Sequence, residues 1–375
     1  MPNSSPTRII ANDFARQWLD IGSDALEAVD RAGHSGWLVL GKEVRSFELE
    51  LATWWGVPHA VGVASGLDAL EIALRCADIP LGARVLTTPL TAFATTLAIV
   101  RAGFEPVWCD VDQSGGLDLD QVDATLRADR SIRAVMPVHL YGHPLDPVGL
   151  ERLAAEYEVI VIEDCAQSAG AERDGRPTGL AGIAAGTSLY PTKNLGAMGD
   201  GGVLLTSDEA IAERARGLRN YGQAAQYEHV ELGLNSRLDE LQAAVLRSAM
   251  LPRLDRWLAR RTEIASRYTE ALSEGSLRPV VAGGGRSAHH LFPVRVLDQD
   301  PQALREHILQ RGVSVGRHYP LICPDQPAVR GLGTIIGDLA IARQLAEREL
   351  SLPIHPYLED QEVEAVVEAC LEIHV

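Results

Sequence analysis

Lysine is nearly absent from this sequence: of 34 basic residues, only Lys42 and Lys193 are lysines and the other 32 are arginines. A chain so biased uses arginine wherever a surface cation suffices. A retained lysine is therefore a candidate for chemistry that guanidinium cannot perform, because an amine can lose its proton and condense with a carbonyl. Lys42, in a GKEV turn ahead of a helix, reads as an ordinary surface residue. Positive charge is scarce overall, with 34 basic against 51 acidic residues and a net charge of −17. That argues against a duplex nucleic-acid binder, which needs a dense basic surface, but leaves room for a small anionic ligand held by a few donors. The five cysteines (Cys76, Cys109, Cys165, Cys323 and Cys370) form no CxxC pair and have no metal-like spacing to histidine, so they read as buried thiols. No apolar run approaches a membrane span, and MPNSSPTRII lacks the basic and apolar regions of a signal peptide. There is no GxGxxG after the first strand, which counts against a dinucleotide fold. With 46% hydrophobic and 23% charged residues, the expectation is a soluble cytoplasmic protein with no metal, membrane or nucleic-acid partner.

What is present is a long alternation. From about residue 58 to 206, short valine- and isoleucine-rich runs (HAVGVAS, ARVLTTP, PVWCDVD, RAVMPV, VIVIEDC, AGTSLY, GGVLLT) alternate with helical patterns such as DALEIALRCA, AFATTLAIVRAG and DPVGLERLAAEYE. This predicts a mostly parallel sheet covered by helices, with ligands beyond the carboxyl ends of the strands. Beyond Ser236 the pattern changes: NSRLDELQAAVLRSAM reads as a helix, Pro252 as the start of a second, HLFPVRVL as a strand, and further helices fall near 302–311, 337–350 and 359–372. With 375 residues, two domains are expected: a large α/β/α domain over 1–245 and a smaller α+β domain over 246–375.

Four places in the sheet region suit one ligand, an aromatic aldehyde carrying a phosphate. In SLYPTKNLGAMGDGG, Lys193 follows a strand end and the glycines let backbone crowd a ligand; alone, it is equally a lysine in a glycine-rich loop. VIVIEDCAQ ends at Asp164 and Gln167. Strand alternation turns Glu163 and Asp164 to opposite faces, so one of them can pair with a pyridine nitrogen, although a helix N-cap explains Asp164 as readily. VASGLDAL leads through Ser65, Gly66 and Leu67 into a helix, a phosphate site or a plain cap. In PLTAFATT, Phe93 could stack on a ring or simply fill the core.

Taken together, the sequence resembles the sugar aminotransferases of the DegT/DnrJ/EryC1/StrS family, pyridoxal-phosphate (PLP) enzymes of fold type I. The matching tracts are GWLVLGKEVRSFE, ASGLDALEIALR, MPVHLYGHPLD, VIEDCAQSAGA, LYPTKNLGAMGDGG, RNYG, GLNSRLDELQAAVLR, RHYP and SLPIHPYL. The resemblance implies that Lys193 holds PLP as a Schiff base and that Asp164 partners its pyridine nitrogen. It places Gln167 near the ring hydroxyl, Phe93 on the ring, and Ser65, Gly66, Leu67 and Ser188 at the phosphate. It implies a homodimer in which Asn235 reaches the neighbouring phosphate, and puts Trp37, Tyr190, Arg237, His318 and Tyr319 toward a nucleotide sugar. The activity implied is transfer of an amino group from L-glutamate to a nucleotide-linked keto-6-deoxy sugar, with dTDP as the nucleotide and C3 as the position, in amino-sugar and antibiotic biosynthesis. Action at C4 or on a cyclitol, and a non-catalytic PLP-binding regulator, are the alternatives. Lys193 argues against the related dehydratases, where the lysine position resembles histidine. Three departures stand out: Leu67 where the family usually has threonine, Leu189 for phenylalanine and Ala92 for threonine.

Overall fold

The computed structural model describes residues 8–371. Its centre is an eight-stranded sheet built from β1 (His59–Val63), β2 (Arg84–Thr87), β3 (Glu105–Trp108), β4 (Ile132–Met136), β5 (Ile160–Asp164), β8 (Ala184–Ser188), β9 (Gly202–Thr206) and β14 (Thr334–Ile335). The hairpin arms β6 (Glu172–Arg173) and β7 (Arg176–Pro177) lie outside it. The strand order is β1-β9-β8-β5-β4-β2-β3-β14, and β9 alone runs against the others.

The apolar runs are continuous because both sheet faces are covered. Neighbouring residues on one strand enter different cores: Ile162, Val85 and Leu204 pack under α3 (Gly66–Cys76), α4 (Phe93–Arg101) and α7 (Glu209–Leu218). Val161, Leu86 and Val135 pack under α5 (Leu119–Ala128) and α6 (Pro147–Tyr157). Farther along that second face, Ala185 and Leu205 meet α1 (Phe14–His34), α2 (Lys42–Trp55) and α8 (Glu240–Val245).

Helix α8 passes through a π turn (Leu246–Met250) and a 3₁₀ turn containing Pro252 into α9 (Leu254–Ala271), so the helix expected to start at Pro252 begins two residues later. After the exposed arms β10 (Gln223–Ala225) and β11 (Glu228–His229), the next strands are β12 (Leu277–Pro279), β13 (Phe292–Val296) and β15 (Glu349–Leu352), an antiparallel sheet. Together with α9, α10 (Pro301–Gln310) and α12 (Asp360–Leu371) it encloses a core that includes Tyr268, Phe292, Val294, Ile308, Leu350 and Val366. The chain does not keep these two bodies apart in order. Ile9 packs into the smaller core, and β14 pairs with β3 at the edge of the large sheet, where Asp110 accepts the N–H groups of Ile341 and Ala342 in the first turn of α11 (Ala340–Arg348).

One contact locks the start of α2. Its N-cap, Gly41, has no side chain to accept the free N–H groups, and buried Glu240 does so instead. Oε1 accepts the N–H groups of Gly41 at 2.7 Å and Val44 at 2.9 Å, and Oε2 that of Glu43 at 2.9 Å. Any larger residue at 41 would place its Cβ 2.7 Å from Glu240 Oε2. Replacing Glu240 with alanine strands these buried donors and should lower Tm by about 5 °C or more in a thermal melt, with Glu240→Gln losing less. An unchanged melt for Glu240→Ala would show that the cap is dispensable.

Candidate active site

The sheet delivers its candidate chemistry at one end. Asp164 is the last residue of β5, and its backbone is tied to both sides: its N–H bonds Pro137 C=O at 2.8 Å, its C=O accepts the N–H of His139 at 3.1 Å, and the next N–H, of Cys165, bonds Gly186 at 2.8 Å. The alternation expected of this strand holds. Glu163 points to the other face, where it meets His139 Nε2 at 2.9 Å and accepts the N–H groups of Gly179, Ala181 and Gly182. Cys165 lies near His139 and Glu163, but His139 Nδ1 already accepts the Leu145 N–H and Glu163 is saturated, so the group works as a hydrogen-bonded brace. Asp164 itself faces the α4 side, toward Thr95. No helix starts after it, so the N-cap alternative falls away. Its Oδ2 accepts the Thr95 hydroxyl at 2.7 Å, and its Oδ1 the Ala166 N–H at 3.0 Å. Burial raises its pKa, opposed by those two donors and by the charge of Lys193.

Lys193 lies in the loop after β8, which is pinned by Leu189 N–H to Gly201 C=O, Lys193 N–H to Tyr190 C=O and Ala197 N–H to Leu189 C=O. The side chain sits inside the molecule but looks into a cavity of about 310 Å³, so part of its surface stays accessible. Desolvation lowers its pKa to about 8 against the pull of Asp164, which brings the nucleophilic amine within reach of neutral pH. Tyr190, His318 and Tyr319 line the same cavity, together with His290, Thr192 and Ser351. Gln167 stands behind it: its Oε1 accepts the Tyr141 N–H at 2.6 Å and its Nε2 donates to the Tyr319 hydroxyl at 3.1 Å.

A second focus lies where α3 starts. Ser65 is the N-cap, its hydroxyl accepting the Asp68 N–H at 3.1 Å, while the N–H groups of Gly66 and Leu67 take no partner among the described residues. Only glycine fits at 66, since a Cβ there would lie 2.7 Å from that of Ser188 at the end of β8. Two outward N–H groups at a helix start beside a serine hydroxyl suit a phosphate, and they do so without the missing threonine hydroxyl. Phe93 opens α4, half-buried, two residues before Thr95.

Trp37, Asn235 and Arg237 are not among the side chains lining the Lys193 cavity. Trp37 is 63% exposed. The Ser236 hydroxyl bonds Asp68 at 2.8 Å and the Ala64 N–H at 3.0 Å, which leaves the neighbouring Asn235 facing outward. Arg237 bonds the Asn220 side chain at 2.9 Å and lies over the Tyr221 ring. The sequence reading missed Thr95, His290, Glu349 and Ser351. Only Thr95 had a signal, its place two residues after Phe93.

The residues present suit PLP. A lysine amine shifted toward neutrality, a buried carboxylate with room for one more donor, and paired N–H groups at a tight glycine are the chemical counterparts of its aldehyde, ring nitrogen and phosphate. Comparisons with known proteins agree. The model of the DegT/DnrJ/EryC1/StrS aminotransferase family matches residues 19–371. The chain is 37% identical to a pleiotropic regulatory protein of Geobacillus stearothermophilus over 96% of this chain and 97% of that one. It is 40% identical to a dTDP-3-amino-3,4,6-trideoxy-alpha-D-glucose transaminase of Streptomyces venezuelae over 96% and 94%. The crystal structure of S. venezuelae DesV superposes with a TM-score of 0.92 at 39% identity, covering 97% of both chains.

In cofactor-free protein, acylation of Lys193 should rise with pH through about 8, because only the neutral amine reacts. Asp164→Asn removes the charge that holds the proton on, so its labelling midpoint should fall below that of the parent. Peptide mapping after timed acetylation reads both, and an unmoved midpoint would separate the two residues.

Proposed function

We propose, from the premise that the chain belongs to the DegT/DnrJ/EryC1/StrS aminotransferase family of PLP-dependent enzymes, that it transfers an amino group from L-glutamate to C3 of a dTDP-linked keto-6-deoxy sugar. The observation that carries the reading is Lys193, an amine near neutrality looking into a cavity with buried Asp164 behind it. Bound PLP supplies an electron sink for the carbanion left when a proton leaves the carbon bearing nitrogen. Lys193 would hold the cofactor aldehyde. Once displaced by the incoming amine, it would move a proton between that carbon and the cofactor, first for the donor and then in reverse for the keto sugar. Asp164, kept in place by Thr95 and Ala166, would hold the ring nitrogen protonated. Gly66, Leu67, Ser65 and Ser188 would take the phosphate, Phe93 the ring face, and Gln167 the ring's hydroxyl side. Tyr190, His318 and Tyr319 would face the sugar.

The preference for C3 rests on the SGLDAL and SLYPTKNLGAMGDGG tracts and on the 3-amino transaminase among the relatives. A relative named for regulation keeps a purely regulatory role in view, but retention of Lys193 in a lysine-poor chain favours turnover. The shared site of a homodimer is part of the proposal, with Asn235, outward in its own chain, reaching the partner's phosphate.

Lys193→Arg should abolish glutamate-dependent amination of a dTDP-3-keto-6-deoxyhexose while the charge stays the same. The 4-keto isomer should react far more slowly, and faster conversion of that isomer would overturn the C3 assignment. Lys193→Arg and Asn235→Ala chains, each inactive alone, should on mixing and subunit exchange regain about a quarter of parental activity, because half the dimers would then carry one intact site of two. No regain would place Asn235 outside a shared site.

A further inference from the structure

His318 stands in the Lys193 cavity at the end of a hydrogen-bonded line that begins on a buried carboxyl group. Glu349, the first residue of β15, is 1% exposed. Its Oε2 accepts the backbone N–H of His318 at 2.6 Å, and its Oε1 meets the hydroxyl of Ser351. Strand alternation puts residues 349 and 351 on the same face. The Ser351 hydroxyl in turn reaches His318 Nδ1 at 2.8 Å. The other ring nitrogen, Nε2, has no partner among the described residues, and His318 lines the cavity beside Lys193.

A serine hydroxyl has one proton to give, and a neutral imidazole carries its proton on one nitrogen only. The line therefore has two self-consistent states. With Glu349 ionised, Ser351 donates to it, His318 Nδ1–H donates to Ser351, and Nε2 is a bare acceptor. With a proton on Glu349 Oε1, the carboxyl donates to Ser351, Ser351 donates to Nδ1, and the ring proton sits on Nε2. We propose that Glu349 and Ser351 are positioning residues that hold His318 in the second state, so that its Nε2–H is a hydrogen-bond donor to a substrate oxygen beside Lys193.

The surroundings support that state. Burial pushes the Glu349 carboxyl up to about 8, outweighing the bonds from the Ser351 hydroxyl and the His318 N–H that favour the ionised form, so it keeps its proton at neutral pH. Arg317 pulls the other way, but its guanidinium is tied to the carbonyls of Ala346 and Glu347. Tyr141 and Tyr319, which also feel Glu349, are held as neutral phenols by burial. Burial and the Lys193 charge lower His318 to about 4, and His290 is lowered as well, so both rings are neutral and the choice of tautomer is real. Which substrate supplies the oxygen rests on the aminotransferase reading; the tautomer does not.

Neutron diffraction from holoenzyme crystals at neutral pD should show deuterons on His318 Nε2 and Glu349 Oε1 and none on His318 Nδ1. A deuteron on Nδ1 overturns the proposal whatever the enzyme's reaction. In solution, Ser351→Ala should lose about 5–10-fold in kcat/KM in one half-reaction, the size of one neutral hydrogen bond, with the cofactor absorbance unchanged. Measuring the glutamate and keto-sugar half-reactions separately tells whose oxygen is held, and parental rates in both count against the relay. Glu349→Gln, whose amide donates to Ser351 at every pH, should keep activity and lose the parental decline above about pH 8. A decline that persists in this variant has another source and counts against the relay. If Glu349→Gln does not fold, the neutron map and Ser351→Ala still decide.

Discussion

The site depends on a carboxylate that water does not reach. An uncompensated buried carboxylate costs several kcal/mol, so the fold must surround Asp164 with donors and a counter-charge or drive it to its neutral form. The sheet supplies the frame. β5 lies between β8 and β4, and backbone bonds from both sides hold Asp164 at the strand end. Thr95, on a helix that follows a different strand, supplies the hydroxyl, and Ala166 the N–H. Even so, burial raises the carboxyl, and the leading partner that lowers it across space is Lys193, ahead of His139. Each residue is tuned by the other: desolvation pushes the amine toward deprotonation and the carboxyl toward protonation, and their mutual attraction limits both shifts.

The other polar groups around the cavity carry no competing charge at neutral pH. His318 and His290 are held neutral by burial, as is the Tyr319 phenol. Glu349 keeps its proton. An anionic ligand entering here meets one cation, Lys193, set among neutral donors and acceptors. In such surroundings a single charge acts over longer range than it would in water, and neutral hydrogen-bonding groups orient without repelling.

Much of this was legible in the sequence because it is local. The strand and helix patterns from residue 58 to 206 survive as β1 to β5, β8 and β9 and as α3 to α6, since a two-faced sheet imposes continuous apolar runs and each helix shows its own period. Lys193 stood out through the scarcity of lysine, and Asp164 through its place at a strand end. Other features were hidden for physical reasons. The Thr95 bond to Asp164 spans 69 residues of sequence, and Glu349 meets His318 across 31, with nothing in either stretch to announce the pairing. β14 is two residues long, too short for any period, yet it extends the large sheet from the far end of the chain. The VAGGGRSAHH tract, residues 281–290, carries no strand or helix period, yet its last four residues turn inward: the Ser287 hydroxyl bonds Gly142, and His290 faces the cavity.

The outward residues follow the same logic in reverse. Glu240 and Ser236 are buried and fully used in holding the start of α2 and the start of α3, while Asn235 and Asp239 beside them are exposed. The neighbouring segments and the Lys193 loop also carry exposed apolar side chains: Leu38, Val39, Tyr190, Met198, Tyr221, Val230 and Leu232. Tyr190 and Met198 belong to the Lys193 loop itself, so this face and the cavity share one piece of backbone. A partner covering it would exclude water from the mouth of the cavity and add polar groups to the phosphate end in the same step. That is the physical content of the proposed shared site: the chain builds a charged floor and neutral walls by itself, and leaves the rim to a second copy.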